Sequence, residues 1–230
     1  MIRVEPIVAA DLRLDEGGWD FAEAERAAIA AHWRAVIAEK PFLWNGKVLI
    51  CTGAAVNDGV LSARLALTDF ASFVACRDWG WPDPGASSCF AVPAVVSADG
   101  ALLVGIMGPR TLNEGKAYPP SGSLEPRDVA ADGRVDLRAS MVAELREETG
   151  LDLGQAAAGP MVAIFEGPRL AVAQRHDLPL DFAEMEAVFQ LHNAAEEDPE
   201  LSAIEAIRNR SQIDSRMPFY AQEIIRQFLP

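Results

Sequence analysis

Glu144, Glu147 and Glu148 are the residues of this sequence best spaced to do chemistry. In a helix, positions i, i+3 and i+4 fall within one narrow sector of the surface, because each residue turns the chain by about 100°. Three carboxylates this close repel one another unless a cation sits on them. A hard divalent ion with oxygen ligands meets that need, and Mg²⁺ takes a few carboxylates while keeping room for water and phosphate oxygens. Acidic triplets can also be plain solvated helix faces, so the neighbouring residues decide. Gly150 stands just past the last periodic residue, where a left-handed residue ends a helix. Met141 and Leu145 lie on a face turned away from the acids and can pack inward. Asp136 is placed to cap a helix running from Leu137 to Thr149.

The stretch from Gly122 to Leu151 resembles the signature of the Nudix hydrolases, G-x5-E-x7-R-E-U-x-E-E-x-G-U, where U is a bulky aliphatic residue. Glu144-Leu145-Arg146-Glu147-Glu148-Thr149-Gly150-Leu151 carries the second half of that pattern. Pro119-Pro120-Ser121-Gly122-Ser123-Leu124-Glu125-Pro126-Arg127-Asp128 is similar to its Pro-Gly-Gly-x-x-Glu-x-Gly-Glu opening. Two places depart. Asp128 stands for the first glutamate, and Ala143 stands where the family has an arginine that resembles a structural partner of that glutamate. Fourteen residues separate Asp128 from Ala143 instead of seven. The extra seven read as a surface loop around the turn dipeptide Asp132-Gly133, which costs little because loop-closure entropy grows slowly with length. Both members of the pair have changed, which fits the loss of one interaction. Arg134, Arg138 and Arg146 are alternatives for a substitute cation, and spacing does not choose among them.

The resemblance implies an α/β fold, a Nudix-type α/β/α sandwich with a mixed sheet, over residues 89–230. Residues 1–88 then form an N-terminal α+β extension for substrate selection or dimer contact. It further implies a Mg²⁺-dependent pyrophosphohydrolase, with Mn²⁺ able to substitute, that cleaves a nucleoside diphosphate linked to another moiety. Glu147 and Glu148 would be metal ligands, and Glu144 a further ligand or base. Backbone groups around Gly122 would help hold metal and phosphates, with Glu125 and Asp128 ordering that loop. Many relatives add a carboxylate from beyond the signature, and Glu166, Glu184 and Glu186 are the candidates. Trp44-Asn45-Gly46-Lys47 with Leu67-Thr68-Asp69-Phe70 looks like the region preceding the domain in some nucleoside-diphosphate-sugar hydrolases, which slightly favours a sugar conjugate. The same residues also read as a β-turn and a capped helix. Two other functions compete: a catalytically reduced module that binds a nucleotide in a regulatory role, and an isomerase of the isopentenyl diphosphate type. The isomerase needs a catalytic cysteine, and Cys89 is a poor candidate. His176 and His192 are isolated and read as packing or surface residues.

Composition narrows the partners. Half of the 230 residues are apolar, enough for a sizeable core, and the formal net charge is −14. Such acidity argues against nucleic acid, whose binding depends on basic surface, and favours a small, metal-chelated substrate. No apolar run reaches the length of a membrane span, and the N-terminus lacks a signal-peptide progression. Cys51, Cys76 and Cys89 are odd in number and have no metal-ligand spacing, as expected of buried thiols in the cytoplasm. A homodimer is the candidate assembly.

The remaining elements follow from periodicity and turn residues. Strands are expected at Arg3 to Val8, Lys47 to Thr52 and Leu61 to Leu67, and near Lys116 to Tyr118. A helix with Asp20 as cap should run from Ala22 to Glu39, its apolar stripe including Ile29 and Trp33. Thr68 should cap a short helix through Ala75. Hairpins are expected at Phe90 to Met107, turning at Asp99-Gly100, and at Met161 to Gln174, turning at Gly167-Pro168. The tail reads as three helices, Phe182 to Ala195, Pro199 to Arg208 and Met217 to Phe228.

Overall fold

The computed structural model describes residues 2–230. In chain order its elements are β1 (Ile2–Ile7), β2 (Ala9–Gly18), α1 (Asp20–Ala24), α2 (Arg26–Glu39), β3 (Lys47–Asn57), β4 (Val60–Asp69) and α3 (Phe70–Asp78). There follow β5 (Ser87–Val96), β6 (Leu102–Met107), β7 (Ala117–Tyr118), α4 (Leu137–Thr149), β8 (Ala157–Glu166) and β9 (Arg169–Asp177). The chain ends with α5 (Phe182–Ala195), β10 (Leu201–Ile207) and α6 (Phe219–Phe228).

The strands form one mixed sheet in the order β1-β8-β9-β5-β3-β4-β2, with β10-β6-β7 joined at the side of β5. β5 runs parallel to β9 and β2 parallel to β4, while the other pairs are antiparallel. β5 and β9 are rich in Ala and Val and largely buried, as strands covered on both faces must be, and β8 is buried over Val162 to Ile164. α4 packs against β5 on one face. α6 packs on β8 and β9, where Arg175 of β9 donates to the Phe228 carbonyl at 2.9 Å. Its chain neighbour Gln174 shares a cleft with Met141 of α4. Adjacent strand residues face opposite ways, so α4 and α6 cover opposite faces. This is the layered α/β/α arrangement.

Residues 1–88 are woven into the same sheet. β1 pairs along its whole length with β8, and β3 joins β5 through Ile50 and Cys51 opposite Ser88 and Ser87. β1 and β2 are separated only by Val8, yet they lie at the two ends of the strand order. The first two strands therefore lead from one end of the strand order to the other. The inserted residues attach to the second of them. Val129 to Val135 folds back tightly, with Ala130 N–H donating to Arg134 O at 2.7 Å and Gly133 in the left-handed region at φ 79°. It then bonds to β2 through Leu14 N–H to Gly133 O and Val135 N–H to Leu12 O, both 2.9 Å. The turn expected at Asp132-Gly133 is present, and it also bridges to the N-terminal strands.

Several expected elements are corrected. β2 was not foreseen. Asp20 is the first helical residue, not a cap, and the helix breaks at Glu25 into α1 and α2. Asp69, not Thr68, caps α3 by accepting from Ser72 N–H at 2.9 Å. The expected hairpin at Asp99-Gly100 is a turn whose arms part at once: β5 meets β6 only at Val96 and Leu102, then pairs with β9. Pro199 to Arg208 is not a helix but contains β10, paired antiparallel with β6. Its buried Leu201, Ile204 and Ile207 recur every three residues, which imitates a helical face. A register shift between Leu201 and Ala203 lets a strand accommodate that spacing.

Candidate metal centre

α4 is the element that positions the acids. Asp136 accepts from Ala139 N–H at 3.0 Å and fixes its start. Leu137, Met141 and Leu145 are buried in the core. Gly150, at φ 74°, ends it in the left-handed region. His192 of α5 lies against Gly150, so closely that any side chain there would overlap it, and its Nε2 stands 2.8 Å from the Glu147 carbonyl. The histidine read as a packing residue thus steadies the last turn of the acidic helix.

Glu144 and Glu148 are buried, whereas Glu147 is exposed. The Glu148 Oε1 accepts from Ser121 N–H at 3.0 Å, and its Oε2 is buried without a hydrogen-bond partner. Burial raises the Glu148 carboxyl well above the usual carboxylate range, with Glu200, Glu144 and Glu147 adding repulsion. Burial likewise lifts Glu144 to about 7, against a lowering pull from Arg127. Glu200, just before β10, is raised by burial and by Glu147. Gly122 completes the corner, because a Cβ there would overlap the Glu144 carboxylate. Only glycine lets the loop backbone come this near.

The residues singled out in the sequence separate into two groups. Gly122, Glu144, Glu147 and Glu148 come together. Asp128 is buried but turned to its own loop, where its Oδ2 accepts from Glu125 N–H at 2.8 Å. Its partner is therefore backbone, and Ala143 leaves no orphan behind. Of the three downstream candidates, none joins the cluster by hydrogen bond. Glu166 accepts from Tyr220 N–H and pairs with Arg169, Glu184 caps α5, and Glu186 lines a separate cleft with Phe189 and Asn193. The downstream carboxylate that acts on Glu144 and Glu148 is Glu200. Sequence reading missed it because it lies at the head of the segment taken for a helix. Gly108 fixes its backbone, its N–H donating to the Glu200 carbonyl at 2.7 Å. Tyr118 and Tyr220 are further neighbours, both raised mainly by burial and both within the influence of Glu148.

None of the three arginines proposed as a substitute partner pairs with Asp128. Arg134 pairs with Asp132 at 2.7 Å, Arg138 lies near the buried His176, and Arg146 is exposed. Arg127 is the cation on the acids. Its Nη2 donates to Glu144 Oε1 at 3.0 Å and Glu147 Oε2 at 2.9 Å, and its Nε lies 3.3 Å from Glu125 Oε2. Among the described residues no three His, Cys, Asp or Glu side chains stand close enough, as placed, to hold a metal ion. The donors nonetheless fit a hard divalent cation in their chemistry: all are oxygens, and the buried Glu148 Oε2 has no partner. Cys89 is buried and its thiol is raised by burial, the opposite of a reactive nucleophile.

Comparison with known proteins places these features beside three solved structures. The MutT protein from Methanosarcina mazei Go1 is similar at 18% identity, over 62% of this chain and 92% of that one, with a TM-score of 0.41. RenU, a Nudix hydrolase from M. Smegmatis, is similar at 13% identity over 61% of this chain and 82% of that one, TM-score 0.40. The Nudix domain of Shewanella oneidensis NrtR, complexed with ADP ribose, is similar at 10% identity over 61% and 85%, TM-score 0.40. No family model matches the chain. No curated protein matches it by sequence.

Proposed function

We propose that this chain is a Nudix-type hydrolase that uses a divalent cation to cleave the phosphoanhydride of a nucleoside diphosphate linked to another group, a sugar conjugate being preferred. The observation that carries this reading is one acidic corner: Glu144 against Gly122, Glu147 joined to it through Arg127, and Glu148 on Ser121 N–H with one buried carboxylate oxygen left without a partner. Burying carboxylates is costly, and a protein keeps them together where a cation repays the cost. When bound, Mg²⁺ or Mn²⁺ supplies positive charge to the phosphate oxygens and makes the attacking water more acidic.

The chain's own residues would do the rest. Glu147 and Glu148 hold the ion, with Glu200 as the additional carboxylate from beyond the signature. Glu144, beside Glu147 on the same helix face and bridged to it by Arg127, is a further ligand of that ion. The backbone at Gly122 lines the same corner and can approach ion and phosphate closely. Residues 1–88 serve as the extension that selects substrate or forms a dimer contact, and the three buried thiols suit a reducing cytoplasm. A second reading, a nucleotide-binding module with reduced catalysis, is favoured by one observation, the Arg127 guanidinium held on Glu144 and Glu147.

Release of phosphate from a panel of nucleotide conjugates, assayed with Mg²⁺ and a coupled phosphatase, separates the two. Turnover of a sugar conjugate above other diphosphates supports the hydrolase. Stoichiometric nucleotide binding with no turnover of any conjugate supports the module.

A further inference from the structure

Arg127 went unremarked among the cations of the sequence, yet it touches more of the acidic corner than any other positive group. It rises from the 3₁₀ turn Pro126–Asp128, which is fixed by a reciprocal cap between Glu125 and Asp128. The backbone is therefore held while the side chain, 42% exposed, is anchored only by its carboxylate partners. In the opening pattern that Pro120 to Asp128 resembles, the place of Arg127 belongs to glycine, so this guanidinium is an addition. It neutralises one charge. Glu144, Glu147, Glu148 and Glu200 carry up to four, and Glu148 Oε2 is left with no donor.

A guanidinium spanning Glu144 and Glu147 uses the same oxygens that a divalent ion would take. The two cations cannot both hold them. We propose that Arg127 is a built-in competitor of the metal: guanidinium and divalent cation exchange on Glu144 and Glu147, and uptake of the ion turns Arg127 out into solvent. The inference rests on the metal-centre reading above. Arg127 thereby sets how much free metal the centre needs. The guanidinium and Glu147 are both open to solvent, which screens their attraction, so the ion can displace it.

Calorimetric titration of the full chain with Mn²⁺ alone tests this. Arg127→Gln should bind about tenfold more tightly than the unmodified chain, the equivalent of about 1.4 kcal/mol. Arg127→Lys keeps the charge but cannot span two carboxylates, so its Kd should fall between them. It also serves if the glutamine variant folds poorly. Arg146→Gln, which removes the same charge from an exposed position on α4, should change Kd by less than about twofold. Equal Kd for the unmodified chain and Arg127→Gln, with both binding Mn²⁺, overturns the competition alone. So does equal tightening by Arg146→Gln, which would make the effect one of net charge. Absence of Mn²⁺ binding in every variant overturns the metal centre itself, and the competition with it.

Discussion

The two ends of α4 treat their acids in opposite ways. At the N-terminal end the acids are already bonded, while the Ser140 hydroxyl and both ring nitrogens of His176, near Arg138, are buried without a partner. Asp136 caps the helix, Asp132 holds Arg134, and Asp128 accepts from its own loop. Asp136, moreover, is an acid at the positive end of the helix dipole, where it is stabilised. At the C-terminal end three glutamates stand at the negative end of that dipole. Two of them are buried, one with an unpartnered oxygen. The first end maximises stability. The second carries charge repulsion and desolvation that a cation relieves, and clustered acids with perturbed titration are candidates for function.

The comparison breaks most decisively on Glu147→Gln and Glu148→Gln. Each should lower kcat by about 10²-fold or more, the scale of losing one electrostatic element of a reaction centre, with circular dichroism unchanged. Full activity in both variants would remove the chemistry from this end. Next in size is stabilisation by metal. Mg²⁺ at a hundredfold excess over Kd should add about 2.7 kcal/mol, or roughly 5–10 °C in Tm for a chain of this length. NaCl of matched ionic strength is the control, and the increment should vanish in Glu148→Gln.

The pH dependence should be smaller, and its sign is set by burial. Glu144 has a native pKa near 7 against an ordinary value of 4.5. Between those values the native state holds more protons than the unfolded state, so stability falls as pH rises through this window. With EDTA present, Tm should therefore be higher at the acid side of the window, and Glu144→Gln should flatten the slope. A rising slope would show that the acids are already neutralised. The smallest effects belong to the other end. Asp136→Ala should cost about 1 kcal/mol in denaturant unfolding and leave Mn²⁺ affinity unchanged. Restoring Asp128→Glu and Ala143→Arg together should show coupling below about 0.5 kcal/mol, since Asp128 is committed to Glu125 N–H.

Legibility in the sequence followed the range of the interactions. α4 could be read to the residue, because its cap, apolar face and terminal glycine are all local signals. The carboxylate triplet and Gly122 were legible for the same reason. Glu200 was not, because its place depends on β10 pairing with β6, and the Leu201, Ile204, Ile207 spacing pointed to a helix. Arg127 escaped because nothing in its spacing to Glu144 and Glu147 shows that a loop 17 and 20 residues away folds over them. β2 was missed because its parallel partner β4 lies far along the chain, and its polar, glycine-ended sequence carries little alternation.

The bend at Val8 has a consequence for the behaviour of the chain in concentrated solution. A sheet with two open edges offers unpaired backbone on which another molecule can template, and natural proteins must blunt both edges. Here the strand that borders one end of the order and the strand that borders the other are successive pieces of one segment. Loss of β1 would therefore expose the row of β8 backbone groups that it now pairs. The Ala- and Val-rich β8–β9 pair beneath would become a seed for association between copies. β1 thus covers backbone groups of β8 that would otherwise be an open edge.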